Sequence, residues 1–107
     1  QGKTGHFTRA KGFDTFCPLG PFIQTEFTNN PELNIKAFVN GELKQDGNSR
    51  DMIYSIGEIL EFVTSIMTLL PGDVVMTGTP EGVSQVKPGD EIKIEIETLG
   101  TLINSVE

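Results

Sequence analysis

One cysteine, one histidine and no tryptophan stand in a chain of 107 residues. Each shortage removes a class of chemistry. A lone thiol, Cys17, cannot close an internal disulfide, which fits a reducing compartment and makes the cytoplasm the expected location. Set between Phe16 and Pro18, it reads as a small buried hydrophobe rather than a nucleophile. The lone histidine, His6, has no serine or cysteine partner at a recognisable spacing, so no triad can be argued. No CxxC, HExxH or GxGxxG occurs. Basic residues are also scarce, 8 against 15 acidic, for a net charge of −7. Without a basic stripe to release counterions from a phosphate backbone, nucleic acid is not an expected partner. No apolar run approaches a bilayer span, and none follows a basic stretch in the manner of a leader.

What remains is an ordinary globular mix, 36% hydrophobic and 21% charged, with seven Phe and one Tyr. The length supports one small domain with a thin stability margin. The chain opens on Gln1 rather than Met and is expected to be part of a longer one.

The first 22 residues carry Phe7, Phe13, Phe16 and Phe22 and end in CPLGPF, which predicts an ordered loop without regular structure. Ile35, Ala37 and Val39 alternate with Asn34, Lys36 and Phe38 and run into Asn40-Gly41, the signature of a hairpin closed by a type I′ turn. Leu43 to Gln45 is the expected return strand. Ser55 with Glu58 forms a capping box, and Ile56, Ile59, Leu60, Val63, Ile66 and Met67 recur at helical spacing, predicting a helix over Ser55 to Met67 with one buried stripe. Val74 to Met76 reads as a short apolar strand, TGTPEG as a loop and KPGD as a turn. Glu91 to Glu97 alternates charge with Ile92, Ile94 and Ile96, a strand with one dry and one wet face. The expected fold is mainly β with one packed helix.

Four groups of residues could carry chemistry. Lys11, in RAKGFD, could orient an anion or assist proton transfer, although residue type alone favours a solvated surface lysine. Asp14 and Thr15 offer hard oxygen donors of the kind a Mg²⁺ shell uses, and an Asx or hydroxyl turn bond explains them as well. The Thr77–Gly82 loop could aim backbone N–H groups and a Thr hydroxyl at a carboxylate, or be a plain turn. Glu95 and Glu97 share a strand face, but so do Glu91 and Lys93, and a solvated outer face is the better reading.

The order of the blocks TRAKGFDTFCPLGPFI, VNGELKQDGNSRDMIYSI, SIMTLLPGDVVMTGTPEGV, KPGD and EIKIEIETLGTLINSV resembles the fumarylacetoacetate hydrolase family over nearly the whole chain. The nearest branch is the one acting on acylpyruvates, oxaloacetate or hydroxy-dienedioates. The resemblance implies that residues 1–107 are the C-terminal portion of a single catalytic domain, part of a mixed β-sandwich roll, usually dimeric. It implies a Mg²⁺ or Mn²⁺ ion that chelates a small 2-oxo acid or dicarboxylate and stabilises the enolate formed during hydrolysis, decarboxylation or isomerisation. By matching motif, Lys11 would be the pocket lysine, Thr15 would lie beside the metal, and Thr79 with the N–H of Gly78 would hold the substrate carboxylate. Gln1 would help bind the oxyanion. The family's Glu-x-Glu and Asp metal ligands, and its acid–base lid, have no counterpart here, so the 107 residues alone are expected to be inactive. The competing expectations are a degenerate family member that folds and associates without turnover, and a small module that binds dicarboxylates without metal.

Overall fold

A computed structural model describes residues 11–21, 23–26 and 31–107. Gln1, His6, Phe7 and Phe22 lie outside the described residues.

The alternating segments pair as one four-stranded antiparallel sheet in the order β2-β1-β3-β4, where β1 is Asn34–Val39, β2 Glu42–Asn48, β3 Glu91–Ile96 and β4 Gly100–Ser105. Asn40 and Gly41 turn the first hairpin with φ of 50° and 79°, the pair of positive values a type I′ turn needs. The return strand is longer than Leu43 to Gln45 because pairing continues from Val39 opposite Glu42 to Asn34 opposite Asn48. The register slips between Ala37 and Phe38, which face Gln45 and Leu43, so Lys44 is the extra residue of a β-bulge.

Register assigns the faces. Lys36 stands opposite Asp46 and Glu95, and Phe38 opposite Lys93, which puts the charged side chains on one face. Ile35, Ala37 and Val39 oppose Ile96, Ile94 and Ile92 on the other. Ala37, on that apolar face, is the buried hydrophobic residue among those described. Part of the wet face is paired internally. Lys93 bonds Glu95 at 2.8 Å and sits 4.4 Å from the Phe38 ring centre, while Asn34 Nδ2 donates to Glu97 at 2.8 Å.

Helix α1, Ile56–Ile66, begins where expected. Ser55 Oγ accepts from Glu58 N at 3.2 Å, and the Glu58 carboxylate accepts from Ser55 N at 2.8 Å. Its apolar stripe departs from expectation. Ile56, Ile59 and Val63 are half-buried, but Leu60, Ile66 and Met67 are exposed. No described segment covers that flank.

Two further expectations are corrected. Val74 to Met76 joins no ladder, since three apolar residues without a neighbouring backbone cannot hold a strand. Cys17 is exposed, not buried. Its neighbours Phe13 and Phe16 pack ring against ring at 5.3 Å and remain open to solvent, so this loop contributes no core.

Candidate functional site

Two glycines and one bulge set the geometry of the TGTPEG loop. Gly82 (φ +97°) lies so close to β2 that a Cβ there would collide with the Lys44 carbonyl oxygen, on the bulge residue itself. Pro80 packs on Gly47, where a Cβ would meet the proline ring at 3.2 Å. The loop is thus laid across the edge strand β2, on the side of the sheet that carries Gln45. Gly78 takes φ +106°, a conformation that frees the neighbouring peptide groups from an ordinary extended path.

Gln45 holds the loop in place. Its Nε2 lies 2.9 Å from Thr79 Oγ1, 2.8 Å from the Pro80 carbonyl and 3.2 Å from the Glu81 carbonyl. Nothing in the sequence singled out Gln45. Its cue was only position: a polar residue on the apolar face of an otherwise alternating hairpin, paired with Ala37.

Between this loop, the end of β2 and the start of α1 opens a cleft of about 490 Å³. Thr77, Gly78 and Thr79 form one wall, and Ile53, Tyr54 and Ile59 supply an apolar wall. Its charged lining groups are Asp46, Asp51 and Glu81. Any anion bound at Gly78 and Thr79 therefore meets neutral donors first and carboxylates nearby, so its counter-charge must come from beyond this lining. A larger depression of about 740 Å³ lies on the wet face of the sheet, lined by Lys36, Glu95, Glu97 and Thr101 among others. Its Glu95 and Glu97 carboxylates are already engaged by Lys93 and Asn34, as the solvated-face reading expects.

Gly78 and Thr79 are thus brought together in a cleft. Lys11 and Thr15 are described and exposed, Thr15 with φ 69°, and neither lines this cleft or the depression. Gln1 lies outside the described residues. Among the described residues no group of three or more His, Cys, Asp or Glu side chains is placed to hold a metal ion. One threonine hydroxyl is not a divalent-cation site, so the described residues do not fit the implied metal by themselves. No helix of the described residues is long and apolar enough to cross a membrane.

Comparison with known proteins supplies the family. The C-terminal domain profile of fumarylacetoacetate (FAA) hydrolase matches residues 1–107. An oxaloacetate tautomerase from Bos taurus mitochondria is 44% identical over 116 aligned positions, covering 99% of this chain and 37% of the bovine protein. The 4-hydroxyphenylacetate degradation bifunctional isomerase/decarboxylase of Salmonella dublin is 44% identical, over 92% of this chain and 23% of its own length. Among solved structures, a 5-carboxymethyl-2-hydroxymuconate delta-isomerase from Mycobacterium smegmatis superposes with a TM-score of 0.92 at 45% identity, over 98% of this chain and 42% of that one. A maleylpyruvate hydrolase from Sphingobium, solved with manganese(II) and pyruvate, superposes at 0.82 with 43% identity, over 87% of this chain and 36% of that one. The chain spans less than half the length of each of these proteins. The antiparallel sheet with helix Ile56–Ile66 among the described residues, the ordered motif blocks and the match along the whole chain agree: the chain belongs to the fumarylacetoacetate hydrolase family.

Proposed function

We propose that this chain supplies the carboxylate-holding wall of an enzyme that hydrolyses, decarboxylates or isomerises a small 2-oxo acid through its enol form. The observation that carries the reading is the Thr77–Glu81 loop. It is anchored to β2 through Gln45 and presents Gly78 and Thr79 to a cleft. Neutral donors on a fixed loop suit a carboxylate, because they orient it without neutralising it and without reorganising during reaction. The apolar wall at Ile53, Tyr54 and Ile59 suits the carbon skeleton behind it.

Names of relatives support the reaction kind. Tautomerisation, decarboxylation and double-bond isomerisation all pass through an enol or enolate that gains or loses a proton on carbon, decarboxylation after the C–C bond to the departing CO2 has broken. Lys11 fits this chemistry as a positioned ammonium that faces the anion or passes the proton, and Gln1 fits as an amide donor to the oxyanion. Thr15 would lie near a divalent cation, Mg²⁺ or Mn²⁺, whose chemistry when bound is to polarise the keto oxygen. That ion needs ligands beyond the described residues, so turnover would require a segment matching the remaining part of the relatives as well as this chain. The intact enzyme would be a cytoplasmic homodimer.

Substitution of Thr79 by Val tests the reading. It keeps the shape and removes the hydroxyl, so the KM of the intact protein for a 2-oxo acid should rise about five- to tenfold while kcat changes less. Unchanged KM and kcat would reduce the loop to a turn. The second reading is a degenerate family member that folds and associates without turnover. It predicts that a panel of acylpyruvates, oxaloacetate and hydroxy-dienedioates shows no Mg²⁺- or Mn²⁺-dependent conversion by the intact protein.

A further inference from the structure

The amide of Gln45 reaches three acceptors on one loop with two hydrogens to give. The two carbonyls among them, Pro80 and Glu81, can only accept. They therefore fix which end of the amide faces the loop, and Nε2 is the end that meets Thr79 Oγ1 at 2.9 Å. The opposite arrangement, Thr79 Oγ1 donating to Gln45 Oε1, spans 3.3 Å and is the weaker of the two. A hydroxyl oxygen that accepts from an amide keeps its own hydrogen for another partner. Thr79 lines the cleft together with Gly78, so that partner can be a ligand in the cleft.

The backbone prepares this contact. The bulge at Lys44 immediately precedes Gln45, and bulges re-aim the side chains beside them. The same bulge carbonyl is the atom that Gly82 lets the loop approach, and Gly47, two residues beyond Gln45, seats Pro80. Three features of β2, at Lys44, Gln45 and Gly47, thus converge on the six-residue TGTPEG loop. Gln45 is the member that touches the functional side chain rather than the backbone alone.

We infer that Gln45 is a positioning residue for ligand binding: by donating to Thr79 Oγ1 it turns the Thr79 hydroxyl hydrogen toward the substrate carboxylate. The inference rests on the carboxylate-holding role proposed for Thr79. Gln45 does not itself touch the ligand, so its effect must pass through Thr79, and that dependence is measurable.

The test is a double-mutant cycle on the intact protein, read as pyruvate affinity by calorimetry with Mn²⁺ held saturating. Gln45→Met, close in length and without donors, should weaken pyruvate binding about three- to tenfold, the range of one lost hydrogen bond. Gln45→Glu, closer still in shape, should weaken it at least as much, because a carboxylate cannot donate to the three acceptors. In a Thr79→Val background, Gln45→Met should change affinity by less than about twofold, since the hydroxyl it orients is gone. A purely structural anchor would not show this, because its loss would weaken binding whether or not the hydroxyl is present. Full additivity of Gln45→Met and Thr79→Val overturns the inference, as does native affinity in either Gln45 variant while Thr79→Val binds weakly. Native affinity in Thr79→Val removes the carboxylate reading itself and this inference with it.

Discussion

The sheet and the loops that flank it are stabilised in opposite ways. Strands β1 to β4 pair along their lengths, and part of their outer face is paired internally, Lys93 with Glu95, Lys93 over Phe38, and Asn34 with Glu97. The segment from Gly12 to Gly20 and the stretch from Met67 to Val86 carry most of the motif residues but join no strand or helix. They expose Phe13, Phe16, Leu70, Val74 and Met76. The TGTPEG loop is the exception within the second stretch, because Gln45, Gly47 and the Lys44 carbonyl tie it to β2. Rigid scaffold and exposed motif loops are a common division of labour, and here a single edge strand joins the two.

If that division is right, substitutions in the motif loops should affect reaction and leave folding alone. The largest effect is expected at Lys11. Lys11→Ala should lower turnover of the intact protein about ten- to a thousandfold, the span for a positioned proton-transfer or electrostatic group, with little change in melting temperature. Native rates would take Lys11 out of the site and leave Gly78 and Thr79 as its part in this chain.

The joint itself should respond in both properties. Gly82→Ala places a methyl against the Lys44 carbonyl and a side chain at φ +97°. It should cost about 1–3 kcal/mol of stability and displace the loop enough to weaken pyruvate binding at least about tenfold. Gly72→Ala is the control. Its φ is +94°, but a Cβ there meets nothing within 4 Å, so it should show the strain and spare the binding. Equal binding losses in the two variants would break the claim that β2 positions the loop.

Most of the scaffold was legible in the sequence because its signals are local. Asn40-Gly41 can only turn with positive φ at low cost, and the isoleucines of Glu91 to Ile96 can share a dry face only in a strand. The Ser55–Glu58 capping box likewise specifies a helix start from four residues. Where the reading failed, the missing information was about neighbours. Val74 to Met76 has strand composition but no partner backbone, and Cys17 has an apolar setting in sequence but no cover in space. The site divides the same way. Gly78 and Thr79 were candidates from a motif, whereas Gln45 was invisible because its contact with Thr79 spans 34 residues and depends on a one-residue bulge.

A smaller effect distinguishes scaffold from helix. Ser55→Ala removes the acceptor for Glu58 N and should cost about 0.5–2 kcal/mol in thermal unfolding. Because Ile59 lines the cleft from α1 while Gln45 and the loop do not depend on it, pyruvate affinity should move less than about twofold. A larger shift would mean that the helix start, and not only β2, sets the cleft.

The smallest expected effect lies in pH. The Asp90 carboxyl is held below the usual carboxylate range by the Asn40 side-chain amide and the Lys87 backbone N–H, bonds of 2.8 Å each that tie the first hairpin turn to the KPGD turn before β3. Glu58 is lowered in the same direction by the backbone N–H and the hydroxyl of Ser55. A carboxyl lowered on folding stabilises the folded state at pH values above its unfolded pKa, and that contribution is lost as pH falls through the folded value. Glu58 is exposed and Asp90 only partly covered, so screening keeps each contribution small. Asn40→Ala removes the larger cause of the Asp90 shift and should flatten the loss of thermal stability on acidification, and Ser55→Ala should flatten the share due to Glu58. Melting curves between neutral pH and the acid limb, taken on both variants and the parent, separate the two. An acid limb unchanged by Asn40→Ala would mean that the bond from Asn40 to Asp90 does not contribute to how the hairpin turn and β3 hold together.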